Sequence, residues 1–224
     1  MSHFVGLVFG FDHEELLEPY DENREVDVYV KYTKDEAVNV VRTKRIEDYE
    51  WALKVLEKHP NPESDWEKNH VQHAQKIIEE GFEISYENAW EEAKKWGYER
   101  DDEDNLLSTY NPDSKWDWYI EGGRWGEWLL LKEKDENGEP LTAIYATKNE
   151  VDWDAMKEQK RVPFCFVTPG GDWVECAEMG WFGMTFNDKD PKEWDEEFWN
   201  YVDSLHDEIP VTLSLIHISE PTRL

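Results

Sequence analysis

A hydrophobic period of about 3.6 residues prevails over 34–97 and strand-like runs separated by turn residues prevail over 115–186, which favours folds that pack a block of helices with antiparallel hairpins. Residues 34 to about 57 read as a helix that Pro60 and Pro62 stop. Ser64 and Glu67 stand at capping-box spacing before a second helix carrying Trp66, Val71, Ala74, Ile77 and Ile78, which Gly81 closes. Ser85 caps a third, with Tyr86, Ala89, Trp90, Ala93 and Trp96 along it and Gly97 after it. Residues 99–114 read as a polar, acidic loop. Beyond them, apolar runs at 128–132 and 141–146 flank Asn137-Gly138, and runs at 164–168 and 173–176 flank Pro169-Gly170-Gly171-Asp172. A short helix is expected at 152–158. The last helix opens on Asp190 and Pro191 and puts Trp194, Phe198, Tyr201, Val202 and Leu205 on one face. Near the start, 3–10 reads as a buried strand, and in 26–32 Val26, Val28 and Val30 alternate with Asp27, Tyr29 and Lys31. The expectation is a single α+β domain over 1–212, with an antiparallel or mixed sheet, hairpins and packed helices. Its parts are a helical block at about 34–97, a hairpin-rich part at about 115–186 and a final helix at about 191–206.

Charge restricts function more than fold. With 224 residues, 39% hydrophobic and 14% aromatic, the chain can bury a sizeable core. Its 24 Lys+Arg against 53 Asp+Glu leave a net charge of −29. Such a surface repels phosphates and anionic headgroups, so neither direct nucleic-acid binding nor membrane binding is expected. It can instead imitate nucleic acid and occupy a basic groove on a partner, or simply confer solubility. No apolar run approaches membrane-spanning length, and the opening MSHFVGLVFG lacks a basic region and a small-residue cleavage site. A soluble, cytoplasmic protein is therefore expected. The two cysteines, Cys165 and Cys176, do not form a secreted disulfide framework. If Gly170-Gly171 is a two-residue hairpin loop, Cys165 falls opposite Cys176 at a hydrogen-bonded pair, a poor disulfide site, and two packed thiols are expected.

The densest unusual segment runs from Asn111 to Trp125. Trp116, Trp118 and Trp125 can stack a base or small molecule, Arg124 and the Gly122-Gly123 amides can meet a phosphate, and Asp117 lies among them. Trp181, in the glycine-bounded run 178–183, can line the same pocket or an interface. The competing expectation is packing, with Arg124 paired to Asp117 or another carboxylate, and it is favoured because thirteen tryptophans need burial. His70 and His73 share a helix face at i, i+3, and Glu67 lies three residues before His70, an incomplete metal set. His3 and His13 are acid/base candidates with no partner placed by spacing. Asp101 to Asp104 lack the glycine and terminal glutamate of an EF-hand loop. No P-loop, dinucleotide fingerprint, nucleophile elbow or zinc-protease motif occurs, so no catalytic residue, cofactor or metal is assigned.

The M-S-H-F start, Leu17 to Asn23, the N-P-x-S-K-W-D-W-Y and G-G-R-W runs within 111–125, and E-M-G-W-F-G at 178–183 resemble a group of uncharacterised phage and prophage proteins. That group more often has Y-x-I-G where Tyr119-Ile120-Glu121-Gly122 stands here. The resemblance implies phage origin and carries no established activity. Leu213 to Arg223, LSLIHISEPTR, resembles a translated sequencing-adapter end, implying that 213–224 is adapter-derived and that the gene came from metagenomic assembly. His217 is accordingly set aside as a ligand. A closing strand is expected to begin at Pro210-Val211-Thr212, and pairing of 213–218 into a sheet would mark that strand's place. Together these features point to a phage accessory protein that binds and inhibits a host defence or nucleic-acid-handling protein through its acidic surface. The alternative is a nucleotide or small-molecule site lined by tryptophans and arginine.

Overall fold

A strand with apolar side chains on both faces belongs inside a sheet covered on both sides, and the first strand of this chain does so. The computed structural model describes residues 2–179 and 185–218. In chain order the elements begin β1 (Ser2–Phe9), α1 (His13–Leu17), β2 (Glu25–Tyr32), α2 (Lys34–Lys58), α3 (Asp65–Glu80) and α4 (Tyr86–Ala93). Strands β3 (Glu99–Arg100), β4 (Leu106–Tyr110), β5 (Trp118–Glu121), β6 (Leu129–Lys134), β7 (Pro140–Ala143) and β8 (Tyr145–Thr147) follow. The chain continues through α5 (Trp153–Glu158), β9 (Cys165–Val167), β10 (Trp173–Glu175), β11 (Glu178–Met179), β12 (Thr185–Phe186), α6 (Pro191–Ser204) and β13 (Pro210–Ile218). The class is α+β, as expected from the sequence, with a mixed sheet, hairpins and packed helices. Two compact units form within it: Asp27–Thr109, and Met1–Val26 together with Tyr110–Leu224.

The larger unit is built on a sheet ordered β10-β9-β1-β13, with β5 and β8 following one another along the outer side of β13. Only β1 and β9 run parallel; the other pairs in this sheet are antiparallel. Leu7, Phe9, Phe166, Val211 and Leu213 point to one face, where Trp194, Phe198, Trp199 and Val202 of α6, Met156 of α5 and Leu129 and Leu130 of β6 cover them. Phe4, Val8, Cys165, Val167 and Ile216 point to the other, against Leu16, Leu17, Trp116, Tyr119 and Trp173. Each fully buried side chain of this size contributes roughly 1.5–3 kcal/mol. Gly6 is glycine because a Cβ there would meet Ile216 Cδ1 at 2.6 Å and Cys165 Sγ at 3.0 Å.

Strand β13 takes the position expected of a closing strand, pairing with β1 from Phe9↔Val211 to Ser2↔Ile218. Its alternation suits a sheet interior, but its polar positions do not. Ser214 Oγ and His217 Nδ1 are buried without hydrogen-bond partners among the described residues.

In the smaller unit, α2 packs its N-terminal half (Ala37, Val38, Val41) against Ala89, Trp90 and Ala93 of α4 and Leu106 of β4. Its C-terminal half (Ala52, Val55) packs on Val71 and Ala74 of α3. Reciprocal capping boxes open α2 at Thr33/Glu36 and α3 at Ser64/Glu67. A three-stranded sheet, β2-β4-β3, completes the unit.

Three expectations need correction. Residues 99–114 are not all loop: β3 and β4 lie there, with Leu106 buried, and the acidic run between them hides the apolar pattern. The β9–β10 hairpin closes through Thr168 and Asp172, so its loop has three residues, with Gly171 left-handed at φ +90°. Cys165 therefore faces Glu175, not Cys176, and both thiols are free. The expected strand at 141–146 is split: β7 pairs with β6, whereas β8 joins β13.

Candidate functional site

The residues of the central segment do not converge on one pocket. In register, Tyr119 and Glu121 of β5 lie opposite Ile216 and Ser214, on the face with α1, whereas Trp118 and Ile120 lie opposite His217 and Leu215. Trp116 packs edge-on to Tyr119 (5.1 Å) and its indole N–H donates to the Leu17 carbonyl at 3.0 Å, which makes it a core residue. Trp118 lies on the opposite face, stacked on His217 (4.5 Å, 20°) with His3 edge-on at 5.4 Å. Asp117 accepts from the Asn23 side-chain amide at 3.3 Å and is not paired with Arg124. Arg124 is exposed, lies over the Trp125 ring at 5.3 Å, and has no ion-pair partner among the described residues. Gly122, at φ +66°, turns the chain where a Cβ would meet Ile144 Cγ1 at 2.7 Å; with Gly123 it serves a tight turn. Trp181 lies outside the described residues.

A different constellation does converge. At the end of β1 the chain turns through Gly10 into α1, whose first residue is His13, with Asp12 as N-cap. This brings His13 Nε2 to 2.7 Å from Glu121 Oε1 at the end of β5. Because a carboxylate only accepts, the imidazole donates here. Tyr145, the first residue of β8, donates its hydroxyl to Glu121 Oε2, and its ring lies 5.9 Å from that of His13. Both strands are held in place by β13. The Tyr145 hydroxyl and then His13 hold the Glu121 carboxyl below its ordinary range, while the same carboxylate pushes the Tyr145 phenol up to about 12. Burial, with Glu14, Glu121 and Asp12 nearby, raises the Tyr119 phenol as well. Glu14 stands beside this pair, so that donor atoms of His13, Glu14 and Glu121 all lie within 4.8 Å of one another. His13 was an acid/base candidate without a partner; Glu121 and Tyr145 had no local signal, being 108 and 132 residues away along the chain.

The helix-borne histidines are otherwise engaged. His70 stacks on Trp66 (4.2 Å, 30°), and His70 and His73 both flank Trp51 at 5.7 Å. Glu67 is committed to the Ser64 capping box and to His59 Nδ1 at 3.2 Å. Asp101 accepts from Glu103 and Asn105 backbone amides, and Asp104 pairs with Lys34 at 2.7 Å, an ordinary polar turn. Comparison with protein-family models, with curated proteins and with solved structures returned no match.

Proposed function

We propose that this chain is a phage accessory protein that binds and inhibits a basic host macromolecule, a defence or nucleic-acid-handling protein, through its acidic surface. The observation that carries this is how the positive charges are used. Lys34, Arg45, Lys94, Lys115, Lys148 and Lys189 are each tied to a carboxylate at 3.0 Å or less. Most of the 53 carboxylates have no cation within ion-pair range among the described residues, so the surplus of −29 faces solvent instead of cancelling. A field of that sign accelerates encounter with a basic groove and disfavours nucleic acid itself. The nucleotide-pocket alternative is weakened because Trp116 and Trp118 occupy opposite sheet faces.

The expected result is capture of a basic protein from host lysate at low ionic strength, its release at about 0.5 M salt, where the screening length falls below ~8 Å, and its displacement by duplex DNA. A bait that retains nothing at low ionic strength, or whose captured protein withstands both salt and DNA, rules the proposal out.

A further inference from the structure

We infer that His13, Glu14 and Glu121 form a binding site for one divalent cation of the zinc class. The three donors are an imidazole nitrogen and two carboxylate oxygens, delivered from the start of α1 and the end of β5, and they already lie within 4.8 Å of one another. Zinc with bonds of about 2.0–2.2 Å holds its donors about 3.3 Å apart when tetrahedral. The His13–Glu121 pair, at 2.7 Å, needs to open by about 0.6 Å around the ion. Glu14, on an exposed side chain, closes the remaining distance by rotating about its own bonds.

Donor chemistry selects the metal. An imidazole with two carboxylates suits zinc and neighbouring first-row divalent ions, whereas magnesium and calcium prefer all-oxygen sites. To coordinate, His13 presents the Nε2 lone pair with its proton shifted to Nδ1, and the metal replaces the hydrogen bond to Glu121. Tyr145 keeps its bond to the other oxygen of Glu121 and fixes the orientation of that carboxylate, as outer partners of metal ligands commonly do. Three protein donors leave a fourth position for water or a ligand. Half-burial of His13 and Glu121, with side-chain exposures of 19% and 36%, separates this site from the diffuse attraction of cations to an acidic surface. The inference does not depend on the proposed host partner.

The test is calorimetric titration of the chelator-treated full chain with zinc chloride, and with magnesium chloride as the diffuse-binding control. Expected are about one equivalent of zinc bound, no saturable magnesium binding, and affinity reduced about tenfold or more in His13→Gln and in Glu14→Gln. A His70→Ala/His73→Ala double variant should bind as the parent does. Should His13→Gln fail to fold, Glu14→Gln, altered at an exposed position, and the visible absorption of a four-coordinate cobalt complex of the parent decide the matter. Absence of saturable zinc binding, zinc binding unchanged in Glu14→Gln, loss of binding in the His70/His73 variant, or no such cobalt absorption overturns the inference.

Discussion

Glu22 shows how strongly single residues in this chain register their neighbours. Burial, then the charge of Asp117 and a shared hydrogen bond with it, then Asp21, raise its carboxyl to about 7. The folded state thus favours the protonated form, and the sign follows. Whatever stability Glu22 contributes is fully present below its unfolded value near 4.5 and is lost as pH rises through about 7. Glu22→Gln, which keeps the hydrogen-bonding shape without the charge, is expected to stabilise the protein at pH 8 and to be neutral at pH 4. The gain should be about 1 kcal/mol, below the full linkage value because the group is only partly buried and solvent screens its charge. Urea denaturation at the two pH values checks this; equal effects at both would mean that Glu22 and Asp117 do not share a proton. The same proximity was invisible in sequence, where Glu22 and Asp117 are 95 residues apart.

Among the elements, what the sequence makes legible is whatever a few neighbouring residues decide. Ser64 with Glu67, Ser85, and Asp190 with Pro191 start α3, α4 and α6 where expected, because a cap satisfies backbone N–H groups within one turn. Strand partners are not local, and a loop one residue longer than supposed moved Cys165 from Cys176 to Glu175. The site was hidden for the same reason: His13, Glu121 and Tyr145 meet only because β5 and β8 share one side of β13. In β13 itself, period and polarity disagree. Leu213 and Leu215 fit one face, while Ser214 on the other is fully buried with its hydroxyl unpartnered, as expected of a segment with the right alternation and unsuited polar positions. Removing an unsatisfied buried hydroxyl returns its desolvation cost, so Ser214→Ala should stabilise by about 1 kcal/mol. In a chain of this size that raises the melting midpoint by roughly 2–4 °C. A lower midpoint would mean that the hydroxyl has a partner and that β13 is matched to its place.

For the molecule as a whole, one quantity bears on both folding and the proposed association. A net charge of −29 on 224 residues makes the compact state repel itself, while the exposed ion pairs add little, being screened and entropically costly. Salt therefore acts in two opposite directions. Raising sodium chloride from about 10 mM to about 150 mM shortens the screening length from ~30 Å to ~8 Å, which weakens repulsion across the surface more than it weakens contacts a few ångströms long. The melting midpoint should rise over this range by several degrees, since each kcal/mol is worth roughly 2–4 °C at this chain length. Over the same range, affinity for the proposed basic partner should fall, because the attraction between opposite surfaces is screened by the same ions. Calorimetric melting and binding measured in matched buffers test both halves together. A midpoint that drops with salt would show that specific ion pairs such as Lys115–Glu175 and Lys34–Asp104 outweigh the surplus. A midpoint that rises while affinity stays constant would separate the charge from the interface, leaving it to serve solubility alone.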